Sequence, residues 1–131
     1  MVLIAAAGND GPAAPTAYPA GYDGVIAVTA VDGRGRIYRD AQRGPHIDIA
    51  APGVGLLLAT SISGARTKTG TSFAPPYVTA AAAMLLSRDP ELTAQDIARR
   101  LSEATRDLGA EGRDEVYGHG LLMADELCRE G

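Results

Sequence analysis

The sequence predicts an α/β fold with three parallel strands, a β-hairpin, a buried helix and an amphipathic helix. Three observations carry that prediction. Residues 2–7 and 25–31 are unbroken apolar runs, the pattern of strands buried on both faces. Residues 78–86 form an almost wholly apolar stretch behind a proline pair, the pattern of a buried helix. Residues 93–108 repeat apolar side chains at helical spacing behind a capping threonine, the pattern of a helix with one wet face.

The elements follow in order. Val2-Leu3-Ile4-Ala5-Ala6-Ala7 is halted by Gly8-Asn9-Asp10-Gly11-Pro12, and residues 8–24 are rich in glycine and proline, hence a long loop. Val25-Ile26-Ala27-Val28-Thr29-Ala30-Val31 is a second strand, largely β-branched. Residues 32–45 are polar and read as loop, and Ile47-Asp48-Ile49-Ala50-Ala51 is a short third strand closed by Pro52-Gly53. Residues 56–62 and 66–69 flank Ser63-Gly64, which fits a hairpin with a tight turn. Pro75 and Pro76 fit a helix only in its first turn, where backbone N–H groups have no partner, so the buried helix is expected to start near Thr71 or Ser72.

Thr93 with Asp96 forms a capping box, and Leu92 and Ile97 take the staple positions around it. Ile97, Leu101, Ala104 and Leu108 share one face, and Gly109 ends the pattern. An acidic loop at 110–115, a glycine turn at Tyr117-Gly118-His119-Gly120 and a short helix at 121–127 complete the chain.

With 131 residues, 46% hydrophobic and 21% charged, this is one domain or part of one, with enough apolar surface for a core. There is no Trp and one Phe, so Ala, Val, Leu and Ile must fill that core. The net charge is −4, and no cluster of Lys and Arg tracks a phosphate backbone, which excludes a nucleic-acid partner. No apolar run reaches the length of a membrane-spanning helix. Cys128 stands alone and has no internal disulfide partner. The sequence opens on a strand, and its helices suffice to cover one sheet face, so it reads as the C-terminal part of a larger domain.

Two residues carry candidate chemistry. Ser72 sits at the start of a buried helix. Serine there is ordinarily a cap; the functional alternative is a nucleophile at the positive end of the helix dipole. Asn9 follows a buried strand in a turn. Asparagine there is ordinarily a turn residue; the alternative is a carboxamide donor aimed at an oxyanion.

With their surroundings, these residues resemble the subtilisin-like serine proteases. Ala5-Ala6-Ala7-Gly8-Asn9-Asp10-Gly11 is similar to that family's oxyanion-asparagine strand end, and Tyr18-Pro19-Ala20 with Val25-Ile26-Ala27-Val28 to the segment after it. Asp48-Ile49-Ala50-Ala51-Pro52-Gly53 resembles the next strand end, Gly70-Thr71-Ser72-Phe73-Ala74-Pro75-Pro76-Tyr77-Val78 the nucleophile motif, and Tyr117-Gly118-His119-Gly120-Leu121 the closing turn. The resemblance implies the C-terminal portion of a subtilisin-like catalytic domain over residues 1–131. It implies serine endopeptidase activity of the parent protein on protein or peptide substrates, and export to the cell envelope or beyond.

By the same resemblance Ser72 is the nucleophile, and Asn9 with the Ser72 backbone N–H forms the oxyanion hole. Ala6, Ala7 and Gly8 wall the substrate pocket and Ala17 lies at its floor. No cofactor is required. A structural monovalent cation or calcium is implied at Asp48 with the carbonyls of Ala20, Tyr22 and Val25, and Tyr18–Pro19 is implied to be cis.

Pro75 and Tyr77 depart from the family pattern, with effects expected on packing alone. The larger departure is that the family's catalytic Asp and His lie upstream of the oxyanion asparagine, and the sequence starts after both. A serine hydroxyl without a base is a poor nucleophile. Losing that base removes about 10⁶-fold of the rate, leaving roughly 10³–10⁴ over water from oxyanion stabilisation. The isolated chain is therefore expected to be inactive, and to self-associate or bind a partner through a sheet edge at residues 1–7 and a bared sheet face. A binding module, a non-catalytic remnant, or one half of a split protease are the alternatives.

Ser72, His119 and Asp125 occur in the order of an α/β-hydrolase triad, but Gly70-Thr71-Ser72-Phe73-Ala74 is not a Gly-x-Ser-x-Gly elbow, and His46 and His119 read as loop and turn residues. Gly53-Val54-Gly55 lacks the third glycine of a dinucleotide loop, since Leu58 stands there.

Overall fold

The computed structural model describes residues 1–129. In chain order the elements are β1 (Leu3–Ala6), β2 (Val25–Val31), β3 (Ile47–Pro52), β4 (Leu56–Ala59), β5 (Ala65–Lys68), a 3₁₀ turn (Thr71–Phe73), α1 (Pro75–Arg88), α2 (Ala94–Glu103), β6 (Thr105–Arg106), β7 (Leu121–Leu122) and α3 (Ala124–Arg129). Among the described residues one five-stranded sheet has the order β1-β2-β3-β7-β6. It is parallel except for β6, which pairs antiparallel with β7. β4 and β5 form a separate antiparallel hairpin.

The apolar strands alternate their side chains between two cores. Ile26, Val28, Ala30, Ile49 and Ala51 face one side, where Val78, Ala81, Ala82 and Leu85 of α1, Ile97 and Leu101 of α2, and Leu127 of α3 cover them. Ala5, Ala7, Ala27 and Ile47 face the other, together with Ala20 from the loop after β1. The expected bared face is thus closed: Ala7, Ala27 and Ile47 are fully buried there. Small side chains on that face let the long loops lie against the sheet without helices. The sheet edge at β1 is open, with Leu3 exposed.

Several elements differ from expectation. The predicted three-strand sheet gains β6 and β7, which are two residues each and too short to leave a periodic signal. Their pairing draws the chain out of α2 at Glu103. Ala104 leaves helical geometry while its N–H still reaches the Arg100 and Leu101 carbonyls, and its own carbonyl accepts from Met123 N–H. Leu108 therefore lies outside the helix whose apolar face it was expected to extend.

The hairpin turn spans residues 60–64, with Thr60 N–H donating to the Gly64 carbonyl, in place of a tight turn at Ser63-Gly64. α1 begins at Pro75, one turn later than predicted, because its two prolines take the first two helical positions and a 3₁₀ turn occupies Thr71–Phe73. α1 is also buried on one side only; Ala80 and Ala83 are exposed. The last helix starts at Ala124, since Leu121 and Leu122 are taken by β7.

Candidate active site

The site lies where the parallel strands deliver their carboxyl ends, the position at which open α/β sheets present their functional loops. β1 ends at Ala6 and hands the chain to Gly8 and Asn9, while the residue after β3, Gly53, accepts the Gly70 N–H through its carbonyl (2.8 Å). That bond fastens the segment entering the 3₁₀ turn to the end of β3.

Thr71 joins the two segments. Its backbone N–H and its hydroxyl both donate to Asn9 Oδ1 (2.8 Å each), and its Oγ1 accepts from Gly8 N–H (3.1 Å). Thr71 is completely buried, whereas Ser72 and Asn9 are exposed. With Oδ1 engaged on both donors, the Asn9 side chain has its Nδ2 donors left for another acceptor, and Nδ2 lies 3.7 Å from where a Gly70 Cβ would be. The Asn9 carboxamide is therefore held against Gly70 and Thr71, the two residues that lead into Ser72. Thr71, read in the sequence only as part of a motif, is the residue that fixes it. A threonine between glycine and serine gave no independent signal of that role.

Gly8 stands at φ +108°, a conformation that favours glycine, and a Cβ there would overlap the Gln42 carboxamide and lie 3.2 Å from the Ala17 Cβ. Gly8 and Ala17 thus meet as neighbours. Ala6 is half-buried, while Ala7 is fully buried and packs in the loop-covered core, so its side chain contributes no open wall. Gln42, 3% exposed, supports the asparagine turn: its backbone N–H donates to the Gly8 carbonyl (3.0 Å), its Oε1 accepts from Asp10 N–H (3.4 Å), and its Nε2 donates to the Pro15 carbonyl. No local pattern marks it, because its partners lie more than twenty residues away. Tyr18–Pro19 is cis, as the resemblance implied.

The sequence profile of the subtilase family, peptidase S8, matches residues 1–120. This chain belongs to the subtilase family. It is 38% identical over 132 aligned residues to subtilisin DY of Bacillus licheniformis, covering 98% of this chain and 47% of that protein. It is 34% identical over 123 residues to the minor extracellular protease Epr of Bacillus subtilis (strain 168), covering 94% of this chain and 19% of Epr. Among solved structures it resembles the prenylagaramide maturation protease PagA, with TM-score 0.82 and 30% identity over 98% of this chain and 50% of PagA. The chain thus spans less than half the length of these curated relatives. The family is one of serine proteases.

Within this subtilase chain the two histidines stand apart from Ser72. His119 donates its N–H to the Asp48 carbonyl (2.7 Å), near the start of β3, and His46 immediately precedes that strand. Ser72 is tied to the strand's other end through Gly53, roughly 15 Å away at about 3.3 Å per residue. Both histidines thus belong to the amino-terminal end of β3, and Ser72 follows a turn fastened beyond its carboxyl end.

A cavity of about 240 Å³ also lies at the amino-terminal end of the sheet, lined by Val25, Ile26, Asp48, Ala94, Ala98 and Ser102 among others, away from Ser72 and Asn9.

Two members of the cation set implied at Asp48, its carboxylate and the Tyr22 carbonyl, already have partners within the chain. Asp48 Oδ2 accepts from Ala27 N–H (2.8 Å), Oδ1 pairs with Arg113 Nη2 (3.1 Å), and the Tyr22 carbonyl accepts from Val25 N–H (3.2 Å). The guanidinium of Arg113 shares only Asp48 with the implied set; its other acceptors are the Pro45 and Ile47 carbonyls. Among the described residues no three His, Cys, Asp or Glu side chains cluster as metal ligands, and no helix is long and apolar enough to cross a membrane.

Proposed function

We propose that this chain supplies the nucleophile and oxyanion half of a serine endopeptidase centre, as part of a subtilase catalytic domain acting on protein or peptide substrates. Ser72 Oγ forms the bond to the scissile carbonyl carbon, and its proton passes to a base. That proton leaves with the departing amine, and water then cleaves the acyl ester. The carbonyl oxygen, charged in the transition state, is held by Asn9 Nδ2 and the Ser72 backbone N–H. Gly8, Ala6 and Ala17 flank the residue before the scissile bond.

The observation that supports this reading is the fixing of Asn9 by Thr71. One carboxamide oxygen takes two donors, so the amide hydrogens are oriented before substrate arrives. Oriented donors of this kind are worth about 3–4 kcal/mol of barrier, a magnitude whose reference case is itself a subtilisin. The base and its orienting carboxylate come from polypeptide outside residues 1–129, since His46 and His119 sit at the far end of β3. A specific observation favours assembly as the way to bring them: β1 is an edge strand with Leu3 exposed, a template for a further parallel strand. That strand belongs either to a longer chain containing this one or to a separate Asp/His-bearing chain.

A fluorophosphonate probe tests the reading. The chain alone leaves Ser72 unlabelled; joined to polypeptide bearing the subtilase Asp and His, it is labelled. Ser72→Ala abolishes the labelling, and Asn9→Ala slows it by about 10²–10³-fold. Stoichiometric labelling of the chain alone at Ser72 would place a base among the described residues and overturn the split. An unlabelled Ser72 in the joined form would remove its role as nucleophile.

A further inference from the structure

The subtilase resemblance implies a metal ion held by Asp48 with the carbonyls of Ala20, Tyr22 and Val25, and the structure pairs that same Asp48 with Arg113, whose other acceptors are the Pro45 and Ile47 carbonyls. We propose that Arg113 is a built-in cation, a guanidinium that takes the place of a metal ion and makes the stability of this chain independent of one. The inference does not rest on the peptidase reading.

Arg113 Nη2 is approached by three oxygens: the Pro45 carbonyl (3.0 Å), the Ile47 carbonyl (3.1 Å) and Asp48 Oδ1 (3.1 Å). Two carbonyls and a carboxylate converging on one point are the ligand chemistry of a hard cation. Here that point is a nitrogen. The guanidinium is covalently part of the chain and cannot dissociate from it.

The loop that delivers it is itself fastened. The Glu115 carbonyl accepts from Gly44 N–H (3.0 Å), Asp114 and Gly118 exchange two backbone bonds (3.0 Å each), and Asp114 Oδ1 accepts from the N–H groups of Val116 and Tyr117 (2.8 Å each). Nη2 is therefore carried to the oxygens by an ordered segment.

Asp48 has structural work on its other oxygen. The β2–β3 ladder shifts register between Ala27 and Val28, and Asp48 Oδ2 takes the Ala27 N–H there. The carboxylate that patches this irregularity needs a positive neighbour, and Arg113 provides it. A metal ion placed at Asp48 Oδ1 would meet the guanidinium as a like charge at contact distance.

Thermal unfolding of the full chain, stripped with chelator, tests this. The midpoint is read in tetramethylammonium, potassium and calcium chlorides at constant ionic strength. The wild-type midpoint is the same in all three. Arg113→Ala melts about 3–6 °C lower in tetramethylammonium, the effect of losing one charge-assisted bond network, and recovers part of that loss in potassium or calcium. Arg113→Lys, which returns a charge without the fork, falls between the two.

A wild-type midpoint that rises saturably with calcium or potassium overturns the proposal. So does an Arg113→Ala chain that melts with wild type, or one that ignores every cation. Should Arg113→Ala fail to fold, terbium luminescence on wild type decides: no sensitised binding supports the proposal, and binding lost in Asp48→Asn refutes it.

Discussion

Replacing Thr71 by valine removes one hydroxyl from a completely buried position while keeping the side chain's shape. Two bonds go with it: the donation to Asn9 Oδ1 (2.8 Å) and the acceptance from Gly8 N–H (3.1 Å). The Thr71 backbone N–H still reaches Asn9 Oδ1, so Asn9 keeps one of its two donors. A typical net hydrogen bond contributes about 1 kcal/mol, and a buried N–H left without a partner costs about 1–3 kcal/mol. Gly8 is only half-buried, so water relieves part of its loss. The expected sum is roughly 2–3 kcal/mol, or a midpoint lowered by about 8–12 °C for a chain of this size. Chemical unfolding of wild type, Thr71→Val and Thr71→Ser measures it. Serine retains the hydroxyl and isolates the bonds from the methyl group, so it recovers most of the loss. A valine variant within about 0.5 kcal/mol of wild type, the range of an ordinary surface change, would show that Thr71 does not fix the asparagine turn.

Two further predictions follow from geometry elsewhere. Gly118 stands at φ +61°, and a Cβ there would overlap the Asp48 carbonyl, a backbone atom that cannot step aside. Gly118→Ala therefore costs about 3 kcal/mol or more, from the left-handed conformation and the displaced backbone together, read as a lowered unfolding midpoint. Asp96 has its carboxyl held below the ordinary value of 3.8, first by the Thr93 hydroxyl and then by the Thr93 N–H. A lowered folded value means its stabilising contribution is complete above 3.8 and is lost as pH falls through that lowered value. The stability difference between wild type and Asp96→Asn should accordingly narrow on acidification through that range; a difference that does not change with pH refutes the assignment.

Much of this chain is legible without coordinates, for a reason that differs by element. β2 was read at its observed bounds, Val25–Val31, because a strand buried on both faces leaves an unbroken apolar run. The start of α2 was legible because its capping box is made by residues three apart, Thr93 and Asp96, and local bonds are written in local sequence. Ser72 and Asn9 are candidates through the family resemblance alone, and each by itself reads as a cap or a turn.

What escaped were features whose partners are distant in sequence. β6 and β7 exist because Thr105 and Leu122 meet across a loop, and that meeting ends α2 where its apolar period would have continued. Thr71 reaches Asn9 across 62 residues, Gln42 reaches Pro15 across 27, and Arg113 reaches Asp48 across 65. The sequence by itself determined the layered α/β character, the two long strands, the cap of α2 and the family. Tertiary structure alone decided which oxygen of Asn9 is engaged, which face the loops close, and which cation stands beside Asp48. Apolar pattern and capping act over a few residues, whereas a hydrogen bond between distant segments exists only after the chain has closed the loop that brings them together.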